Sequence, residues 1–163
     1  MASEIDHYRK LLEYDEWANR AHHESLVQVS DKSREEFQAA LYAFNHVVAA
    51  VEIWYCRARS IVQESVDFTP SLSLGECKLK LEEGTKLWKE YLANGSTADL
   101  DRAVTYRDTF DNEYTMTLRD IISHMMLHSA HHRGQTAILL RRAGFTPADA
   151  DYYISPMAQG HKS

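Results

Sequence analysis

TLRDIISHMMLHSAHHRGQTAILLRRAG, residues 117–144, carries both a helix and a cluster of metal-binding side chains. Thr117 and Asp120 form a capping pair at its start, and Gly144 followed by Pro147 closes it, so the spacing predicts a helix ending at Ala143. His124, His128 and His132 recur every fourth residue and therefore stack on one face. Ile121, Met125, Gln135 and Leu139 share that face, which points the stripe inward. Buried imidazoles are costly as cations and need partners, and a metal ion is one way to supply them. One ion cannot take all three. Eight residues at about 1.5 Å rise separate the outer pair by roughly 12 Å, against metal–nitrogen bonds of about 2 Å. Spacing alone leaves the pairs 124/128 and 128/132 both open, and also leaves open ordinary hydrogen-bonded core histidines.

Upstream, three more helices are bracketed by start and stop signals. The first is expected from about Glu4 to Val29 with Ser3 as N-cap, and the second from a Ser33–Glu36 capping box to roughly Gln63. The third runs from a Ser73–Glu76 box to Asn94-Gly95. Between the third and fourth, RAVTYRDTFDNEYTMT (102–117) has β-branched and aromatic residues on both sides of Asp111-Asn112, which predicts a short hairpin. The reading is a single domain over residues 1–163, all-α, a four-helix bundle with a β-hairpin-like insertion before the last helix. The tail after Gly144 is expected to be irregular, with His161 exposed to solvent.

The second helix is apolar almost all round from Ala39 to Tyr55, whereas a surface helix shows one stripe. A second packing partner is then needed, and a homodimer through this helix is the expectation, against coverage by the hairpin or the tail. His46 is the one histidine within this apolar run, and a third imidazole from a facing helix would complete a three-histidine set of the kind that keeps a coordination position open. On a helical wheel His46 lies away from the centre of the Phe37, Leu41, Phe44, Val48, Val51, Tyr55 stripe. His7, His22 and His23 on the first helix are competitors.

Composition excludes several classes. The chain has 163 residues, a formal charge of −6 and no basic block or stripe, which argues against a nucleic-acid surface. Asn45, His46 and Glu52 make the most apolar stretch too polar for a membrane span, and MASEIDHYRK lacks the pattern of a signal peptide. The 2 cysteines, Cys56 and Cys77, form neither a disulfide framework nor a CxxC pair and read as buried small hydrophobes, which fits a reducing cytoplasm.

HSAHHRGQ (128–135) resembles the HxxxHRGQ-type signature of the DinB family of metal-binding four-helix bundles, and a histidine one turn earlier, here His124, is typical of it. The resemblance extends to LLEYDEWANR (11–20), FNHVVAAVEIW (44–54) and VTYRDTFDNEYTMTLRDI (104–121). It implies an up-up-down-down bundle, usually dimeric, with one divalent metal ion per chain, commonly nickel or zinc. The ligands it implies are His46, His128 and His132, which leaves His124 and His131 as neighbours of the site or surface groups. Relatives of this kind include thiol S-transferases and isomerases that use low-molecular-weight thiols, and proposed hydrolases. The leading expectation is thus an enzyme acting on a small molecule through a metal bound by three histidines. The alternative is a metal-stabilised binding or stress-response module without turnover. Arg133 and Gln135 match the signature without an assigned role, and Tyr106 and Tyr114 of the hairpin are candidates to cover the site.

Overall fold

In the computed structural model, which describes residues 3–61 and 67–158, the chain forms four long helices and one hairpin. These are α1 (Glu4–Val27), α2 (Glu35–Ala58), α3 (Leu74–Ala93), β1 (Ala103–Arg107), β2 (Glu113–Thr117) and α4 (Leu118–Arg142). The two strands pair antiparallel, with Tyr106 opposite Tyr114 and Val104 opposite Met116. Asp108 closes their turn by accepting the backbone N–H groups of Phe110 and Asn112, which lets Asp111 take a left-handed conformation at φ 64°. The expected bundle with a hairpin before its last helix is what the chain adopts. His161 lies outside the described residues.

Cross-helix contacts fix the directions. Tyr8 meets Ser123, and Ser25 accepts from the Ala148 N–H just beyond α4, so α1 and α4 run parallel. Arg34 donates to the Ala143 carbonyl while Trp54 stacks on His124, so α2 runs against α4. Asn45 pairs with Cys77 and Val51 accepts from the Trp88 indole, which makes α2 and α3 parallel. The sense is therefore up-down-down-up, and the expected up-up-down-down order is corrected. A 24-residue helix is about 36 Å long. The seven residues from Gln28 to Arg34 reach at most about 25 Å, so α2 has to turn back along α1.

Capping explains most boundaries. Ser73 accepts from the Glu76 N–H while the Glu76 carboxylate accepts from the Ser73 N–H, a closed capping box that opens α3. Thr117 accepts from the Asp120 N–H at the start of α4. Gly144, at φ +85°, ends that helix: Phe145 N–H returns to the Leu140 carbonyl and Gly144 N–H to Arg141. Two expected boundaries at α2 differ. Ser33 gives both its N–H and its hydroxyl to the Asp31 carboxylate, at 3.0 and 2.6 Å, and so is withdrawn from capping; the helix starts after Arg34. At the other end Ser60, at φ 54°, closes the helix at Ala58 through Ile61 N–H to the Cys56 carbonyl. This is short of Gln63, which lies outside the described residues.

The core is built on α2. Phe37, Phe44, Val48 and Val51 pack with Trp88 and Leu92 of α3 and with Ile121, Met125 and Leu140 of α4. Gly84 permits a close approach of α3 to α2, since a Cβ there would lie 2.8 Å from a Val51 methyl. The outer face of α2 is also covered within the chain. Phe68 and Leu72 carbonyls bind His46 and Asn45, and Tyr106 of β1 stands edge-on to Trp54. The burial of Val47, Ala50 and Ile53 is thus met without a second chain, and the all-round apolar pattern does not by itself demand a dimer. Among the described residues no helix is long and apolar enough to cross a membrane.

Candidate metal centre

α2 and α4 place three imidazoles against one another. His46 contributes from the middle of α2, and His128 and His132 from successive turns of α4. The His46 ring lies 4.7 Å from that of His128 and 4.4 Å from that of His132, and the two α4 rings are 4.4 Å apart. One ligating atom from each lies within 4.8 Å of the others. Among the described residues this is the one group of His, Cys, Asp and Glu so arranged, and no carboxylate or thiolate joins it.

Partners on the far side of two rings fix which nitrogen faces inward. The His46 Nδ1–H donates to the Phe68 carbonyl, so its Nε2 carries the lone pair. The His132 Nδ1–H donates to Gln135 Oε1 at 2.8 Å, and the Gln135 amide is held in turn by donating to His131 Nε2 at 3.0 Å. His46 Nε2 and His128 Nε2 stand 2.9 Å apart. Two imidazole nitrogens bound to one tetrahedral ion at about 2.0–2.1 Å would stand roughly 3.3 Å apart, so the rings are close to ligating geometry already. The donor set fits a divalent ion. Its members are three imidazoles, and burial pushes His128 down to about 4, with His132 and His46 adding to the effect. Burial lowers His132 as well, followed by the influence of His46.

His124 stands apart. It is exposed, stacks 4.4 Å from the Trp54 ring and 5.5 Å from His128, and is lowered by partial desolvation of its ring and by the nearby Arg57. The expected inward stripe holds for Ile121 and Met125, both fully buried, whereas Gln135 is exposed and Leu139 half-buried. The helical-wheel difficulty over His46 resolves because two faces of α2 are occupied: the Phe44–Val48 face meets the core and the His46 edge meets α4. The first-helix competitors are elsewhere. His22 Nδ1 bonds the Ala18 carbonyl, His23 Nε2 bonds the Leu74 carbonyl, and His7 is exposed.

Arg133, unassigned from sequence, turns away from the triad. It is buried against α1, donating to Asp15 at 2.5 Å and to Asn19 at 2.8 Å, while Asn19 donates to the other Asp15 oxygen. This pair ties α1 to α4. Tyr106 lies over Arg57 and Trp54, Tyr114 stacks on Tyr106, and neither belongs to the triad. Gln135 was within reach of sequence reading, since it stands three residues after His132 on the same face. The Phe68 carbonyl was not, because nothing in composition brings that loop back across α2.

Comparison with known proteins follows the same lines. The DinB family model matches residues 1–162. Protein DinB of Bacillus subtilis (strain 168) is 22% identical over 159 residues, covering 88% of this chain and 90% of that protein. The crystal structure of a DinB-like protein from Bacillus cereus ATCC 10987 aligns with a TM-score of 0.52 at 18% identity, covering 89% of this chain and 93% of that one, and so supports the fold.

Proposed function

The chain belongs to the DinB family, and on that footing we propose that it is a metal-dependent enzyme acting on a small molecule, of thiol S-transferase or hydrolase type. One divalent ion, nickel or zinc, is bound by His46, His128 and His132. The observation that carries the reading is the convergence of these three imidazoles, two of them already oriented by Phe68 and Gln135 so that the Nε2 lone pair faces inward. A divalent ion held there supplies Lewis acidity toward a water or a thiol.

The protein's own groups supply position and surroundings. Gln135 and the Phe68 carbonyl hold the rings against rotation, and the Phe68 ring lies beside His46. Three neutral donors with no carboxylate among them leave the ion's charge uncompensated, which favours an anionic ligand at a remaining position. The purely stabilising role is less well supported, because α2 and α4 already pack through Phe44, Val48, Ile121 and Met125, and a structural zinc fills its positions with protein ligands.

We place the protein in a reducing cytoplasm, in accord with the free thiols of Cys56 and Cys77. As partner beyond the substrate we retain a second copy of the chain. Tyr42 and Ile138 are exposed on α2 and α4 and line a shallow groove with Ala43 and Leu139, so an apolar strip exists for a dimer to cover. The acidic net charge accords with a small-molecule substrate rather than nucleic acid.

The test is direct. Protein purified without a metal-chelating column is measured for metal content, then screened with low-molecular-weight thiols and small electrophiles. The reading expects close to one ion per chain and thiol- or water-dependent turnover that is lost in His128→Ala. Stoichiometric metal with no turnover on any pair would favour the non-catalytic module.

A further inference from the structure

Arg57 lies three helical turns beyond His46 on α2, and its guanidinium lies against three aromatic rings. The Cζ atom is 4.5 Å from the Trp54 ring centroid, 4.6 Å from Tyr106 and 5.6 Å from Phe68. Its Nη2 donates to the Arg107 carbonyl at 3.3 Å, a long contact, and among the described residues it makes no other hydrogen bond. Among the described residues no carboxylate lies within ion-pair distance of it. Asp108 acts on it only from further away, and burial lowers its pKa.

The same rings connect this charge to the triad from two sides. Phe68 is 6.5 Å from the His46 ring, and its carbonyl fixes that ring's Nδ1. Trp54 is 4.4 Å from His124, which stacks 5.5 Å from His128. On the Phe68 side a single aromatic ring separates the guanidinium from His46, and on the Trp54 side two rings, Trp54 and His124, separate it from His128. A half-buried cation with no anion beside it among the described residues, and with three aromatic rings around it, is arranged to receive a planar anion in two parallel hydrogen bonds. Phe68, next to both the guanidinium and His46, offers the apolar surface along which an unbranched carbon stem would lie.

We infer that Arg57 is a specificity-determining residue that binds the carboxylate of a small substrate or cosubstrate whose opposite end reaches the His46, His128 and His132 centre. This rests on the metal-dependent reading of that centre and names the chemistry of the molecule it takes. A lysine would not serve as well, because the aromatic platform orients a flat guanidinium by stacking, and an ammonium offers no matching fork.

The experiment compares ω-mercaptohexanoate with ω-mercaptohexanol, probes of equal length that differ in the terminal charge. Zinc content of the preparation is measured first and reports on the metal reading by itself. Dissociation constants for both probes are then measured by calorimetry on the wild type, Arg57→Gln and Arg57→Lys, each checked by circular dichroism and thermal melting. Wild-type protein is expected to hold the carboxylate at least ten-fold tighter than the alcohol. Arg57→Gln is expected to bind the two alike while binding the alcohol as the wild type does, and Arg57→Lys to keep only part of the preference. Equal affinity for the two probes in the wild type, failure to bind either, or a preference that survives in Arg57→Gln would overturn the assignment. A preparation that takes up no zinc counts against the metal reading, and the carboxylate-to-alcohol ratio of that same protein still decides the role of Arg57.

Discussion

The Nε2 atoms of His46 and His128 lie 2.9 Å apart although 82 residues separate them in the chain. Two antiparallel helices bring them together, and a backbone carbonyl from a loop sets the orientation of one. Because α2 and α4 are packed through buried apolar residues on either side, the encounter costs little additional ordering.

Removing any member of the triad should remove the ion. His46→Ala, His128→Ala and His132→Ala are each expected to lose stoichiometric nickel or zinc, while His124→Ala and His131→Ala keep most of it. Metal analysis of the five purified variants checks this. Equal retention in all five would place the ion elsewhere.

Gln135 offers a graded test. Without its carbonyl acceptor the His132 ring is free to turn and its Nε2 becomes a weaker base, so Gln135→Leu should weaken metal affinity by roughly 10- to 100-fold. Gln135→Glu supplies a stronger acceptor to the same Nδ1–H and should bind at least as tightly as the wild type. Competition against a chromophoric chelator ranks the three.

The buried Arg133–Asp15 pair should govern stability and leave metal binding alone, since Arg133 faces α1. Arg133→Met leaves the buried Asp15 carboxylate without its cation and is expected to cost about 3–5 kcal/mol in urea unfolding. The zinc stoichiometry of the protein that remains folded should not change.

Acid should destabilise the bundle partly through His22. Burial holds its imidazole down at about 4, well below its ordinary 6.5. Between those values the unfolded chain takes a proton that the folded chain refuses. Its contribution is therefore fully present above pH 6.5 and is lost as the pH falls toward 4, by up to about 3 kcal/mol. In metal-free protein, His22→Gln should flatten the fall of unfolding free energy between about pH 6.5 and 4.5. An unchanged slope would show that His22 does not contribute.

Much of this was legible in the sequence because it follows from local rules. The Ser73–Glu76 box, the Thr117 cap and Gly144 set their boundaries without tertiary help, and the hairpin around Asp111 follows from turn chemistry. What failed locally failed to a nearby competitor: Asp31 claims Ser33, and Ser60 closes α2 early. Helix direction required comparing the length of α1 with the reach of its following loop. The histidines announced themselves by four-residue spacing, but which face of α2 meets α4 depends on the loop through Phe68, and no periodicity encodes that. Arg57 was invisible for the same reason, because its aromatic platform is assembled from α2, the Phe68 loop and β1.

The central claim is that three imidazoles share one ion, and X-ray absorption at the zinc edge of the zinc-loaded protein tests it most directly. The account predicts three imidazole nitrogens at about 2.0 Å with no sulfur scatterer. A spectrum with one imidazole or fewer, or with a cysteine sulfur in the shell, would contradict it.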